Sequence, residues 1–381
     1  MKPVTLERVE KTYPDGTRAV RGVDLAIAAG ELVVLLGPSG CGKTTSLRMI
    51  AGLEAPSAGR VRIGDDDVTH LRPRERDVGF VFQFFALYPH LTVRENLAFP
   101  LECSGVPRDE RRRRVAEVAE RLGLGRLLGH LPRELSGGDQ QRVALGRALV
   151  RRPGVWLMDE PLGTLDAGLR LELAEFLRAQ QLENRITTVY VTHDQEEAMR
   201  LADRVVVMSE GAILQEGGAA RVYDEPESLF VARFVGSPGM NLFAGEVRVG
   251  GDGARRIHPY PPPTLFGGRA HGPEREPPGF TLSAQSLAEL PPSTAALRPG
   301  PVTLGIRPEF VALDDTSTLR GRIEVDEYLG SARCLHVDTP VGRLIARVGP
   351  DAPCARGTEV GLRLDPARLR LFDPESGRRL A

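Results

Sequence analysis

The chain has 381 residues, enough for two domains and a sizeable core, and its 41% apolar and 27% charged residues are ordinary for a globular protein. Its formal net charge of −1 excludes a global electrostatic pull toward nucleic acid or an anionic membrane surface, so no nucleic-acid partner is expected. Four scattered cysteines, Cys41, Cys103, Cys334 and Cys354, show no CxxC spacing, which argues against a disulfide framework or a zinc site and fits a reducing compartment.

The first residues lack the apolar stretch of a secretory signal. The longest apolar runs, such as 32–36 and 205–208, are far too short to cross a bilayer. A role in transport would be exercised from the water side, through partners. Residues 1–235 read as one α/β domain. Segments 4–13 and 20–28 alternate apolar and polar residues and fit antiparallel strands. β-rich runs follow at 31–36, 78–83, 155–158, 187–192 and 205–208. Several are apolar nearly throughout, as strands covered on both faces are, and helical stretches lie between them. The pattern predicts a largely parallel sheet flanked by helices. From 91 to about 150 the chain is helix-rich, and Val115, Val118, Ala119 and Leu122 share one face of 109–122. This predicts a helical subdomain inserted between sheet strands. The arginines at 111–114 read as a solvated helix face.

After Phe234 the texture changes, and residues 236–381 read as a second domain. Its segment 251–301 is dense in Pro and Gly, which favours extended loops or mobile segments. Short β-like runs return at 302–306, 320–325, 334–337, 342–348 and 360–364, predicting a small all-β barrel.

The strongest chemical signal is Gly37-Pro38-Ser39-Gly40-Cys41-Gly42-Lys43-Thr44. It matches G-x-x-x-x-G-K-[ST], follows an apolar strand and precedes a helical pattern, the context a phosphate-binding loop requires. The glycines let backbone N–H groups turn inward at phosphate oxygens, and the following helix adds its positive end. Lys43 can reach the β- and γ-phosphates, and the Thr44 hydroxyl can ligate Mg²⁺. Such a loop alone does not separate kinases, GTPases and motor ATPases. Val155-Trp156-Leu157-Met158 then leads into Asp159-Glu160, two carboxylates at the end of an apolar strand. Asp159 suits a Mg²⁺ contact through water, and Glu160 suits a general base for an attacking water.

Leu135-Ser136-Gly137-Gly138-Asp139 offers an N-cap serine and two glycines at the start of a helix over 140–151. With the continuation QQRVALGRALVRRP, this run resembles the signature helix of the ABC ATPase superfamily, usually LSGGQ. The resemblance spans nearly the whole first domain. It implies a P-loop ABC ATPase fold with an inserted helical subdomain, and ATP bound by Gly37 to Gly42, Lys43, Thr44 and Thr45, with Mg²⁺. Gln83 matches the Q-loop glutamine, which implies contact with Mg²⁺ or water and with a membrane-subunit interface. Leu162 to Asp166 is similar to the D-loop, with Asp166 retained. His193 matches the switch histidine that contacts the γ-phosphate, and Tyr13 stands where the family stacks an aromatic ring on adenine. Some of Phe84, Phe85, Leu87 and Tyr88 are implied to line a groove for a coupling helix. Asp139 departs from the usual Gln. A carboxylate there adds negative charge near phosphates unless it points away or is neutralised.

In this family ATP is clamped between Lys43 of one copy and Ser136 of the other, so a homodimer is implied. Residues 234–241, 304–309 and 361–380 resemble the maltose- and glycerol-3-phosphate-type importers and their OB-like C-terminal regulatory domain. That implies integral membrane permease subunits as partners, an extracytoplasmic solute-binding protein as an indirect one, and a peripheral position on the cytoplasmic face of the membrane. Polyamine, iron and sulfate importers share the architecture. A soluble ABC ATPase of DNA repair or translation tends to carry long coiled coils or two ATPase units, neither visible here. A regulator-binding role for the β domain is compatible with all of these.

Overall fold

The computed structural model describes residues 2–163, 165–249, 255–260, 298–352 and 355–380. Thr164, Cys354 and most of the Pro/Gly-rich 251–301 segment lie outside the described residues. The chain forms two compact units, Met1–Val222 and Tyr223–Ala381.

The first unit opens with β1 (Val4–Thr12) and β2 (Arg18–Ile27), then β3 (Leu32–Leu36), α1 (Lys43–Ala51), β4 (Ala58–Ile63), β5 (Asp66–Asp67) and β6 (Val78–Val81). A helical stretch follows: α2 (Val93–Cys103), α3 (Arg108–Arg121) and α4 (Gly137–Val150). Then come β7 (Val155–Asp159), α5 (Ala167–Asn184), β8 (Thr187–Thr192), α6 (Gln195–Leu201), β9 (Arg204–Ser209) and β10 (Ala212–Gly217), and α7 (Ala219–Asp224) runs across the division between the units.

Two sheets share these strands. An antiparallel sheet has the order β2-β1-β4-β5, and a six-stranded sheet has the order β10-β9-β3-β8-β7-β6. In the larger sheet all neighbours from β9 to β6 are parallel, and only the edge strand β10 runs antiparallel. β3, β7 and β8 are buried at every residue, the reason β3 and the first four residues of β7 read as continuous apolar runs rather than alternating ones. One core joins Val4, Leu6 and Ile63 of the first sheet to Leu47 and Ile50 of α1 and to Val33, Leu35, Val189 and Val206 of the second. Leu36 pairs with Thr192 and Val207, Asp159 with Val191, and Val81 with Met158. These pairings bring the carboxyl ends of the parallel strands to one edge, where open α/β sheets bind ligands.

Helices α2, α3 and α4 pack on one another. α2 starts on a capping box in which Thr92 and Glu95 satisfy each other's backbone N–H. α3 turns Val115 and Ala119 inward, while Arg112 and Arg113 are exposed.

In the second unit α8 (Leu229–Phe234) precedes β11 (Asn241–Val249), β12 (Arg255–Tyr260), β13 (Gly300–Ile306), β14 (Val311–Leu313), β15 (Arg320–Tyr328), β16 (Arg333–Thr339), β17 (Gly342–Val348), β18 (Glu359–Leu364) and β19 (Arg370–Phe372). They form sheets of order β12-β11-β13-β19 and β14-β18-β15-β16-β17 around one apolar core that includes Leu304, Ile323, Leu335 and Leu362. Helix α8 lies in the second unit. Its Ala232 packs with Met240 and Phe372. The buried Arg307 guanidinium donates to the carbonyls of Tyr223, Ala232 and Val235. A buried cation needs those acceptors, so the segment is fastened to the β unit. β11 and β12 are further elements that periodicity did not reveal. β12 reads Arg-Arg-Ile-His-Pro-Tyr, and a proline is tolerated there because it is an edge strand.

Candidate active site

The loop between β3 and α1 is shaped by close approaches. A Cβ on Gly37 would sit 2.3 Å from the Met208 carbonyl oxygen, and one on Gly42 would sit 2.4 Å from that of Ala19. Gly42 also has φ 100°, a conformation that L side chains resist. It caps α1 without any side-chain acceptor, and the first turn carries no acidic residue. The helix's positive end is therefore left to the loop. Lys43 is 5% exposed, and its ammonium donates to the carbonyls of Gly37 (2.7 Å) and Pro38 (2.9 Å). Thr45 is half-buried one residue further on.

Across the loop, the Thr44 hydroxyl donates to Asp159 Oδ1 at 2.7 Å. Asp159 ends β7 and is buried. Burial pushes its carboxyl up, the neighbouring Glu160 adds to that, and the Thr44 bond with the Arg48 and Lys43 charges opposes it. Glu160 follows in a left-handed conformation, φ 45°, with its N–H donating to the Val191 carbonyl at 2.9 Å. A non-glycine residue so placed costs about 1–3 kcal/mol, and such strain clusters at functional sites. Its Oε2 accepts from Gln83 Nε2 at 3.0 Å and lies 3.1 Å from His193 Nδ1. Thus Thr44, Gln83, Asp159, Glu160 and His193, from four separate stretches of sequence, converge at the carboxyl edge of the parallel sheet.

Sequence reasoning missed the scaffold under His193. Glu197, buried in α6, accepts from the hydroxyls of Tyr190 and Thr192. Burial raises its carboxyl, and those two hydrogen bonds oppose the rise. Thr192 Oγ1 also accepts from the Asp194 N–H at 3.0 Å, and Asp194 caps α6. Arg170 ties Asp194 (3.0 Å) to the Leu165 carbonyl (2.9 Å), linking the loop after β8 to the loop after β7. The available signal was Asp194-x-x-Glu197, a capping pattern directly behind His193.

The signature residues form a neighbouring group. Ser136 caps α4 and accepts from the Asp139 N–H at 3.2 Å. Its hydroxyl donates to Asp139 Oδ2 at 2.6 Å, and Arg142 pairs with Oδ1. Burial alone would raise the Asp139 carboxyl, but the bonds from Ser136 and Arg142 hold it below its ordinary value. The charge introduced at this position is thus neutralised locally. A Cβ on Gly137 meets nothing within 4 Å, while one on Gly138 would meet Leu169 of α5 at 2.5 Å. The buried Gln141 donates to the Pro161 carbonyl, anchoring α4 beside the loop that follows Glu160.

Asp166 serves as the N-cap of α5, accepting from the Leu169 N–H at 3.0 Å. Tyr13 lies past the end of β1, half-buried, with Lys11 Nζ 5.1 Å from its ring centre. Phe84 is 74% exposed beside Gln83, and Tyr88 packs against Phe99 and under Arg147. The described residues hold no cluster of three or more His, Cys, Asp or Glu suited to a metal. None of their helices is long and apolar enough to cross a membrane.

A phosphate loop, paired strand-end carboxylates and a glycine-led helix on this sheet are those of an ATP-binding cassette, and comparison with known proteins agrees. The chain belongs to the ABC transporter family of ATPases: residues 20–163 match that family and residues 304–372 match the TOBE domain. It is 41% identical over 381 residues to the sn-glycerol-3-phosphate import ATP-binding protein UgpC 2 of Agrobacterium fabrum, covering 100% of this chain and 95% of that one. It is 42% identical over 395 residues to the trehalose/maltose import ATP-binding protein MalK of Thermococcus litoralis, covering 99% of each. The osmoprotective compounds uptake ATP-binding protein GgtA of Synechocystis is 40% identical, with 98% of each covered. Among solved structures, the ATP-binding cassette MJ0796, a dimer in a post-hydrolysis state bound to ADP and Pi, superposes with a TM-score of 0.53 at 37% identity. That match covers 57% of this chain and 98% of the cassette.

Proposed function

We propose that this chain is the ATP-hydrolysing subunit of an importer for carbohydrates or glycerol-3-phosphate-like solutes. It would work as a homodimer on the cytoplasmic face of the membrane, against integral permease subunits that receive solute from an extracytoplasmic binding protein. The names of the glycerol-3-phosphate and trehalose/maltose relatives, matched along their full length, support the solute class. The osmoprotectant relative marks how far solute identity can vary on this architecture. The two units are proposed to act as a nucleotide-binding domain and a regulatory β domain.

The observation that carries the reading is the convergence of Gln83 and His193 on one carboxylate oxygen of Glu160, beside the Thr44–Asp159 pair. ATP would lie along Gly37 to Thr45, its β- and γ-phosphates near Lys43 and its adenine on Tyr13. In the hydrolytic step a water oxygen bonds to the γ-phosphorus and the bond to the ADP oxygen breaks. Glu160 takes the water proton, and phosphate leaves. His193 and Gln83 hold the carboxylate in place, and His193 is 59% exposed, within reach of an arriving γ-phosphate.

The residues fit Mg²⁺. Thr44 Oγ1 and Asp159 Oδ1 are hard oxygen donors 2.7 Å apart, and a buried carboxyl raised by desolvation gains most from a cation. Thr44, Asp159 and Gln83 would hold the ion, which supplies charge neutralisation on the phosphate oxygens. Ser136, Gly137, Gly138 and Asp139 would face ATP bound by the second copy, with Asp166 at the same interface. The test is steady-state Mg-ATP hydrolysis. Glu160→Gln should bind ATP, accumulate as a dimer and lose about 10²-fold or more in kcat. Unchanged turnover would remove Glu160 from the base role.

A further inference from the structure

We infer that Asp139 is a positioning residue that holds the Ser136 hydroxyl proton, so that an ATP phosphate must take this hydroxyl from Asp139 when the pocket closes. The inference rests on the reading above, in which Ser136 meets ATP carried by a second copy.

A serine hydroxyl has one proton. Here Ser136 Oγ accepts from the Asp139 N–H at 3.2 Å and gives its proton to Asp139 Oδ2 at 2.6 Å. An arriving phosphate oxygen can only accept, so it competes with Oδ2 for the same proton. The carboxylate is a strong competitor: an ionised acceptor holds a donor roughly twice as firmly as a neutral one. It is also fixed in place. Arg142, one turn further along α4, pairs with Oδ1, and the Asp139 side chain is only 18% exposed. The same arginine offsets the repulsion that a bare carboxylate would exert on a triphosphate. Beside Ser136, Gly137 leaves open space in this chain, so the hydroxyl stays approachable. The arrangement weakens the grip on ATP in the closed dimer without blocking the approach. A neutral side chain at 139 would compete less and release the hydroxyl more readily.

The test uses the full chain and Mg-ATP, comparing KM and kcat for wild type, Asp139→Asn, Ser136→Ala, the double variant and Arg142→Gln. Asp139→Asn is expected to lower KM for ATP about three- to tenfold, with kcat within about twofold. In the Ser136→Ala background the same change should shift KM less than about twofold, because no proton remains to compete for. Arg142→Gln should raise KM, since it bares the carboxylate; a merely structural defect at the helix start would move both variants in the same direction. An equal KM drop with and without Ser136 would reduce Asp139 to a charge effect and overturn the inference. So would an unchanged or higher KM in Asp139→Asn. If Ser136→Ala alone left KM and ATP-driven dimerisation unchanged, the underlying assignment of Ser136 would fall, and the inference with it.

Discussion

At Gly42 two constraints coincide: a backbone at φ 100° and an Ala19 carbonyl oxygen 2.4 Å from where a Cβ would stand. Gly42→Ala should therefore cost about 1–3 kcal/mol of stability from the backbone alone and abolish tight ATP binding, as followed by thermal unfolding with and without Mg-ATP. A stable variant with normal affinity would show that the loop re-forms around a side chain. The phosphate loop was legible because glycine spacing encodes its backbone directly. Asp159 and Glu160 were legible because they end an unbroken apolar strand. Glu197, Tyr190 and Arg170 were not. Their role arises from contacts across elements, and a Glu inside a polar helical stretch carries no mark of being buried. Asp139 was visible as a departure, but its neutralisation by Arg142 needed the side-chain geometry.

The elements hold the site through a few polar ties. Arg170, near the start of α5, bridges the loop after β7 to the cap of α6, and so fixes the turn that presents His193. Arg170→Gln should lower kcat with KM for ATP within about twofold, and destabilise by about 1–3 kcal/mol in urea unfolding. An unaltered kcat would mean that His193 is placed by β8 alone. Further along α5, Arg178 donates to Asp203, which also accepts from the Leu32 N–H that begins β3. Burial alone would raise its carboxyl, but these bonds outweigh it and hold it below the ordinary 3.8. A carboxyl depressed by folding lends stability above its unfolded value, and that contribution fades as pH falls through the lower folded value. The gap in urea midpoint between wild type and Asp203→Asn should accordingly be full at pH 7 and close below about pH 3.8. A gap that persists at low pH would assign it to packing. The elements themselves followed largely from periodicity: the buried parallel strands, the amphipathic α3 and the capped α4 all lie where the pattern put them. β12 escaped because an edge strand rich in Arg, with an internal Pro, has no alternation to read.

Across the whole molecule the two units keep separate cores, one around β3 and α1 and one around β13, β15, β16 and β18. Within the second unit Arg307 is a buried cation whose carbonyl partners sequence alone could not supply. The proposed catalytic group of the first unit, Lys43, Thr44, Asp159, Glu160 and His193, would supply the phosphate-loop half of a pocket. Ser136 and Gly137 are proposed to form the other half, and a Cβ on Gly137 meets nothing within 4 Å. In the proposed function two copies clamp one triphosphate, and mixing complementary defects tests this proposal most directly. Lys43→Ala removes one half-site. Gly137→Asp places a negative charge in the other, at a position where a side chain meets nothing in its own subunit. Each variant alone should be inactive. Co-refolded at equal amounts, they should recover about a quarter of the wild-type ATPase rate, because half of the dimers are mixed and each mixed dimer has one intact pocket. A mixture no more active than its separate components, at any ratio, would contradict a pocket shared between two copies.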